Sequence, residues 1–376
     1  KMLFKRVKQQ ILKNAELKAS GQYIGIPNPY KKLADYIPSF DKGMSIGVLA
    51  TTGAGKSFFT RYTFIYHIYK FYKETGYNVR ILYFPLEDNK EKVYRNIIQN
   101  YLSDVHGVKI STRELDSKAD RILPDFIKDL LNESDDYFEE FEKIVSVIDG
   151  TNKPEEIHKI CEDFALSVGK VENNNYESNV HTLCIFDNLS NLDEEGYRGE
   201  KDAMTIFARD YVRKSLCNFY NFTCVQVLQS DFQTERQQYS SNGETIVSKL
   251  EPSLASVGES KTITRSMHLV FSLFPPYRYE ILQYPRPPKT DPDNCYNIDL
   301  LKNRFISLKV IKANDSEVGI RIGLYVDHMD GTFKELPSPK TDELKDFYRK
   351  LTKNYTPFTK QKMIDIVEED SNDLPF

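Results

Sequence analysis

The segment Ala50-Thr51-Thr52-Gly53-Ala54-Gly55-Lys56-Ser57 joins an apolar run to a stretch with helical spacing. Its chemistry follows from its residue types. Gly53 and Gly55 let the backbone curl, so that successive N–H groups turn inward onto phosphate oxygens. The helix starting at Lys56 brings its positive dipole end to the same place. The Lys56 ammonium reaches the outer phosphates and the Ser57 hydroxyl serves a Mg²⁺ ion. The cradle thus comprises Thr52, Gly53, Ala54, Gly55, Lys56, Ser57 and Phe58. The motif's usual first glycine is Ala50 here, which an extended residue tolerates.

Three further polar residues end apolar runs. Leu183-Cys184-Ile185-Phe186-Asp187 places a carboxylate where a Mg²⁺ ion could be held through water. Tyr83-Phe84-Pro85-Leu86-Glu87-Asp88 places Glu87 as a general base able to polarise a water. Val225-Gln226-Val227-Leu228-Gln229 ends in an uncharged amide suited to sensing a terminal phosphate.

These residues meet only if the runs are neighbouring parallel strands, whose carboxyl ends lie side by side. The pattern supports this. Buried strands are predicted at 45–50, 78–84, 143–148, 181–186 and 222–228, with helices at 56–72, 90–105, 154–168 and 201–220 between them. Strand-helix alternation means crossover connections and a mainly parallel sheet covered on both faces. Strands at 267–274, 305–312 and 319–326 then follow one another and predict a hairpin-rich far edge. Residues 1–20 read as an amphipathic helix with a stripe of Leu3, Phe4, Val7, Ile11 and Leu12. It could dock elsewhere or fold back on its own domain. Residues 21–340 form the main domain, 103–142 read as an acidic, solvated helical insertion, and 341–376 as a polar, acidic tail.

Composition narrows the class. The chain has 376 residues, 40% hydrophobic, with 24 Tyr and 23 Phe, so disorder cannot be its main state. No run approaches the ~20 apolar residues of a membrane helix. The five cysteines form no CxxC pair and read as reduced thiols, predicting a cytoplasmic protein. A net charge of −4 argues against a globally basic nucleic-acid coat but leaves room for a locally basic channel.

Together these motifs resemble the RecA-like motor domain of DnaB-type hexameric replicative helicases, particularly the phage-encoded branch. Phe84-Pro85-Leu86-Glu87 matches the family's aromatic-Ser-Leu-Glu with Pro for Ser, and Asp187-Asn188-Leu189 its Asp-Asn-hydrophobic. Gln229 matches the sensor, and Phe333-Lys334-Glu335-Leu336 the closing motif. The likeness covers about residues 22–337. It implies an α/β fold with a RecA-like P-loop NTPase core, a mainly parallel twisted sheet flanked by helices, and ATP with Mg²⁺ as cofactors. It also implies a homo-oligomer, commonly a hexameric ring, in which the helix at 2–19 docks on the neighbouring subunit. Two departures stand out. The family's Lys-x-Arg, whose Arg is a finger across the subunit boundary, reads Lys312-Ala313-Asn314 here. Lys312 is retained; Lys261, Arg265, Lys309 and Arg321 are candidate substitutes for the missing cation. The family's Asp near His268 is also missing, and His268 reads as a packed histidine.

The resemblance implies an ATP-driven helicase moving on single-stranded DNA in replication, in the cytoplasm of a bacterial host. The catalytic set is Lys56, Glu87, Asp187, Gln229 and, in trans, Lys312. DNA would be met by Arg198 and Lys201 after Asp187, and by Arg236 and Lys249 after Gln229. The alternatives are a DNA-dependent ATPase of recombinase or loader type without unwinding, and a non-catalytic ATP-binding assembly protein. Finally, Asp373-Leu374-Pro375-Phe376 resembles the terminus of bacterial single-stranded-DNA-binding proteins. That likeness implies recruitment of a primase, or another reader of such tails, through Phe376.

Overall fold

The computed structural model describes residues 2–51, 53–118, 121–230, 247–257 and 261–353. Among these, nine strands form one sheet: β1 (Ser45–Ala50), β2 (Val79–Pro85), β3 (Val145–Val147), β4 (His181–Asp187), β5 (Thr223–Gln229), β6 (Leu269–Phe274), β7 (Phe305–Ala313), β8 (Arg321–Asp327) and β9 (Thr332–Glu335). Their order is β9-β8-β7-β6-β1-β5-β4-β2-β3. From β6 to β3 every pairing is parallel; from β6 to β9 every pairing is antiparallel. The predicted crossover half and hairpin edge are therefore both present.

β1 and β4 are buried at every residue, as strands covered on both faces must be. Alternation sorts their side chains between two cores. Ile46, Val48 and Tyr83 face one side with Phe59, Phe64, Tyr69 and Ile97. Leu49, Leu82, Phe84 and Phe186 face the other with Ile157, Phe207 and Leu216. A third cluster, built on Phe274, Tyr284, Tyr296 and Phe305, lies at the antiparallel edge.

Helices form where local chemistry allows. At Lys90–His106 the Asn89 side chain accepts from the Lys92 amide, and Gly107 closes the end at φ 68°. The helix at 56–75 is interrupted by a π-helical turn at Tyr62–Tyr66, and the one at 200–219 becomes π-helical over Phe207–Phe219. A widened turn shifts the phase of the buried face, so Thr63, Phe64, Ile65 and Tyr66 are all buried in succession.

Two parts differ from the simple sequence reading. The 103–142 segment is more than a solvated insertion. Helices Asp125–Asn132 and Asp135–Ile144 carry Ile127, Phe141 and Ile144 into the first core. Phe141 meets Tyr69 edge-on at 5.0 Å between ring centroids. The acids stay outside, as with Glu140 against Lys73. In the N-terminal helix, Met2–Ala19, Phe4 is 73% exposed and Ile11 63%, so the apolar stripe is not buried on its own domain.

Candidate nucleotide site

The loop after β1 turns on Gly53 at φ 72° and Gly55 at φ 76°, left-handed conformations that glycine adopts without a steric penalty. Gly55 also caps the helix that starts with Lys56. Lys56 is only 9% exposed and Ala54 is buried. Phe58, in the first helical turn, rests on the β8–β9 hairpin: a Cβ at Gly331 would stand 2.8 Å from its ring. Thr52 lies outside the described residues.

Parallel pairing delivers the other groups. The Ser57 hydroxyl donates to Asp187 Oδ1 at 3.2 Å. Pro85 is the register partner of Asp187, and the Leu86 amide donates to the Asp187 carbonyl at 2.6 Å, which sets Glu87 beside the same strand end. Glu87 is exposed. Asn152 holds this junction from below, donating to the carbonyls of Leu86 at 3.2 Å and Asn191 at 2.8 Å. On the other side, Gln229 is the register partner of Ala50 and the Ser230 amide donates to the Ala50 carbonyl at 2.9 Å. Asn188 reaches Gln229 Oε1 at 3.5 Å. Lys56, Ser57, Glu87, Asp187 and Gln229 are thus gathered at the carboxyl ends of β1, β2, β4 and β5.

Burial pushes the Asp187 carboxyl above the ordinary aspartate range, while Arg61, the Tyr83 and Ser57 hydroxyls and Lys56 oppose that shift. The arrangement fits a nucleotide with Mg²⁺. A hard cation held by one hydroxyl and one carboxylate takes its remaining oxygens from phosphates and water. The hydroxyls of Thr51 and Ser230, at the ends of β1 and β5, are buried without a partner among the described residues. No group of three or more His, Cys, Asp or Glu gathers among those residues to hold a metal alone.

Sequence reasoning missed Arg61, Tyr83 and Asp88. Tyr83 donates to Asp187 Oδ2 at 2.8 Å and accepts from Arg61 Nε at 3.0 Å, and Arg61 is also paired with Asp88. One signal was available: Arg61 is a charged residue four places after Ser57, on the inward stripe of its helix.

The remaining candidates lie away from this cluster. Lys312 gives its ammonium to the carbonyls of Thr264 at 2.8 Å, Arg265 at 3.1 Å and Met267 at 2.5 Å, closing the end of helix Lys261–Arg265 within its own subunit. Lys309 and Arg321 are both paired with Glu251. Arg265 is exposed, and the side chain of Lys261 lies outside the described residues. His268 is packed, its Nδ1 accepting from the Ser45 amide at 2.8 Å. Arg198 and Lys201 are exposed, but their loop also carries Asp193, Glu194, Glu195, Glu200 and Asp202. Lys249 is exposed on the short helix Val247–Leu250; Arg236 and Phe376 lie outside the described residues.

No family model matches the sequence, and no curated protein matches it. The fold does have solved counterparts. One solved ATPase domain, from among the DnaB-like replicative helicases, aligns with a TM-score of 0.59 at 12% identity, over 88% of this chain and 98% of that one. A DnaB-like replicative helicase, studied with its interactions with primase, aligns with a TM-score of 0.59 at 14% identity. That alignment covers 88% of this chain and 66% of the helicase, so this chain spans just under two thirds of it. At such identities the likeness defines the fold, a RecA-like P-loop ATPase core shared with the ATPase domains of DnaB-like replicative helicases.

Proposed function

We propose that the protein is an ATP-driven motor that assembles into a homo-oligomeric, hexameric ring, moves on single-stranded DNA and separates duplex during replication. The observation that carries this reading is the Ser57–Asp187 contact of 3.2 Å beneath a phosphate-shaped loop, with Glu87 on the adjoining strand end. The fold shared with DnaB-like helicase ATPase domains supports it.

In this reading the loop amides and Lys56 hold the β- and γ-phosphates. Mg²⁺, when bound, would supply positive charge to the phosphate oxygens. Ser57 would hold the ion directly and Asp187 through water. Glu87 is exposed to solvent, accepts a proton from the attacking water and returns it after transfer. Gln229, bonded to Asn188 at the Asp187 strand end, senses the terminal phosphate and relays its loss to the loop that follows. That loop, with Arg236 and Lys249, and the Arg198–Lys201 loop form the DNA-facing surface. The helix at Met2–Ala19 offers its exposed stripe to the neighbouring subunit. A primase is the partner suggested by the primase-interacting helicase of like fold. The setting is the cytoplasm of a bacterial host, with a phage-encoded replication system as the source.

A second reading keeps ATP binding and gives up unwinding, either as a recombinase-like or loader ATPase or as a non-catalytic assembly protein. It is favoured by Asn314 in place of the finger arginine and by the commitment of Lys309, Lys312 and Arg321 to partners within the subunit. ATP turnover with and without single-stranded DNA separates them. The motor reading expects turnover that DNA stimulates; ATP binding without turnover supports the assembly protein.

A further inference from the structure

The helix that opens at Lys56 sends two side chains, one turn apart, toward the same carboxylate. Ser57 bonds Asp187 Oδ1 at 3.2 Å directly. Arg61 reaches it through Tyr83: its Nε donates to the tyrosine oxygen at 3.0 Å, and that hydroxyl donates to Asp187 Oδ2 at 2.8 Å. The four residues make a closed circuit. Asp187 therefore has one oxygen fixed by tyrosine and the other facing Ser57.

The circuit has a branch. The remaining Arg61 nitrogens bond Asn96 and Asp88, and Asp88 is the residue after Glu87. Lys92 holds the same Asp88 from the solvent side. Arg61 and Tyr83 are no more than 2% exposed, so the fork of the guanidinium is spent on these partners. Burial works against the charge on Arg61, yet Tyr83, Asp187 and Asp88 together hold it charged more firmly than usual. A buried guanidinium is costly, and an apolar pair of similar volume would fill the space without that cost. What an apolar pair could not do is connect the carboxylate of the metal site to the loop of the base.

We propose that Arg61 and Tyr83 are a positioning pair that sets the Asp187 carboxylate for Mg²⁺ and, through Asp88, anchors Glu87 in register with it. The proposal rests on the ATPase reading of the site and deepens it. Neither residue touches nucleotide; both act through Asp187 and Asp88. Two separable effects follow. Loss of the Tyr83 hydroxyl frees one oxygen of Asp187 and weakens Mg²⁺ binding. Loss of the Asp88 charge frees the Glu87 loop and slows the chemical step, leaving Mg²⁺ binding as it was.

The test uses the full chain, a fluorescent ATP analogue and a Mg²⁺ titration from an EDTA-treated start, read as equilibrium binding, with ATP turnover measured in parallel. Tyr83→Phe is expected to raise the Mg²⁺ concentration needed for half-maximal response about tenfold, the scale of losing a group that orients a metal ligand. Nucleotide binding without Mg²⁺ should stay at the wild-type level. Asp88→Asn is expected to lower turnover about tenfold with an unchanged Mg²⁺ midpoint. A wild-type Mg²⁺ midpoint in Tyr83→Phe overturns the proposal, as does a fall in its Mg²⁺-free binding, which marks general damage to packing. Wild-type turnover in Asp88→Asn removes the branch to Glu87 and overturns the proposal as stated. A native protein that binds nucleotide identically with and without Mg²⁺ overturns the ATPase reading itself, a different result from a native Mg²⁺ response that the variants leave untouched.

Discussion

The amide of Leu86 donates to the carbonyl of Asp187 at 2.6 Å, so the residue before the candidate base is tied to the backbone of the candidate metal ligand. Two functions that the sequence separates by a hundred positions are thereby one hydrogen bond apart. Their spacing is set by the β2–β4 ladder, in which Pro85 and Asp187 are partners.

That geometry makes Glu87→Gln a clean variant. The amide keeps the size of the side chain but cannot accept a proton. Nucleotide binding should persist while turnover falls by about 10²–10⁴-fold, the range for loss of a general base. Single-turnover ATP hydrolysis is the measurement. Normal turnover would remove Glu87 from the mechanism.

The Asp187, Gln229 and Glu87 positions were legible because polar residues ending apolar strands are conspicuous and parallel order brings strand ends together. The buried circuit was not, because Tyr83 is an aromatic residue in a strand and reads as core, which it also is. Arg61 was hidden by the π-helical turn beginning at Tyr62, which breaks the 3.6-residue pattern just beyond it. The acids of 103–142 were read correctly as outward-facing, but the charge run masked the aromatic face carried by Tyr137, Phe138 and Phe141 on the same helix.

That aromatic face predicts a stability effect far from any nucleotide. Phe141 is fully buried and packs on Tyr69 and Tyr94. Phe141→Ala should cost about 3–5 kcal/mol, read as a lower urea midpoint. A cost under about 1 kcal/mol, the scale of a surface change, would mean that the segment is the peripheral insertion its charge suggests.

Acid should destabilise the fold through His181. Its ring nitrogens meet the Tyr77 hydroxyl at 3.0 Å and the Thr223 hydroxyl at 2.7 Å, and burial, assisted by Lys42, lowers its pKa to about 3. The ring is neutral in the fold, and the unfolded chain takes up the proton first. Its contribution is therefore complete above the unfolded value near 6.5 and is lost as pH falls toward 3. At pH 5 the loss is about 2 kcal/mol. His67 and His268, each lowered to about 4 chiefly by burial, act in the same direction. Urea unfolding at pH 7.5 and pH 5 checks this, with His181→Gln expected to flatten the difference. An undiminished difference in that variant would assign the acid sensitivity elsewhere.

Asn314 ends the β6–β7 ladder, its amide donating to the His268 carbonyl at 3.0 Å. Asn314→Arg should raise ATP turnover of the assembled protein, toward the roughly 10³-fold or more that a finger arginine can supply. Steady-state turnover at concentrations above and below assembly is the readout. An unchanged or lower rate would show that another cation already serves the neighbour's phosphates.

The central claim is that ATP turnover at this site drives strand separation. The most direct measurement is release of a labelled strand from a forked DNA duplex with ATP and Mg²⁺, beside the Lys56→Ala variant, which lacks the loop's phosphate-binding charge. The account predicts separation by the native protein and none by the variant. ATP hydrolysis by the native protein with the fork left intact would contradict it.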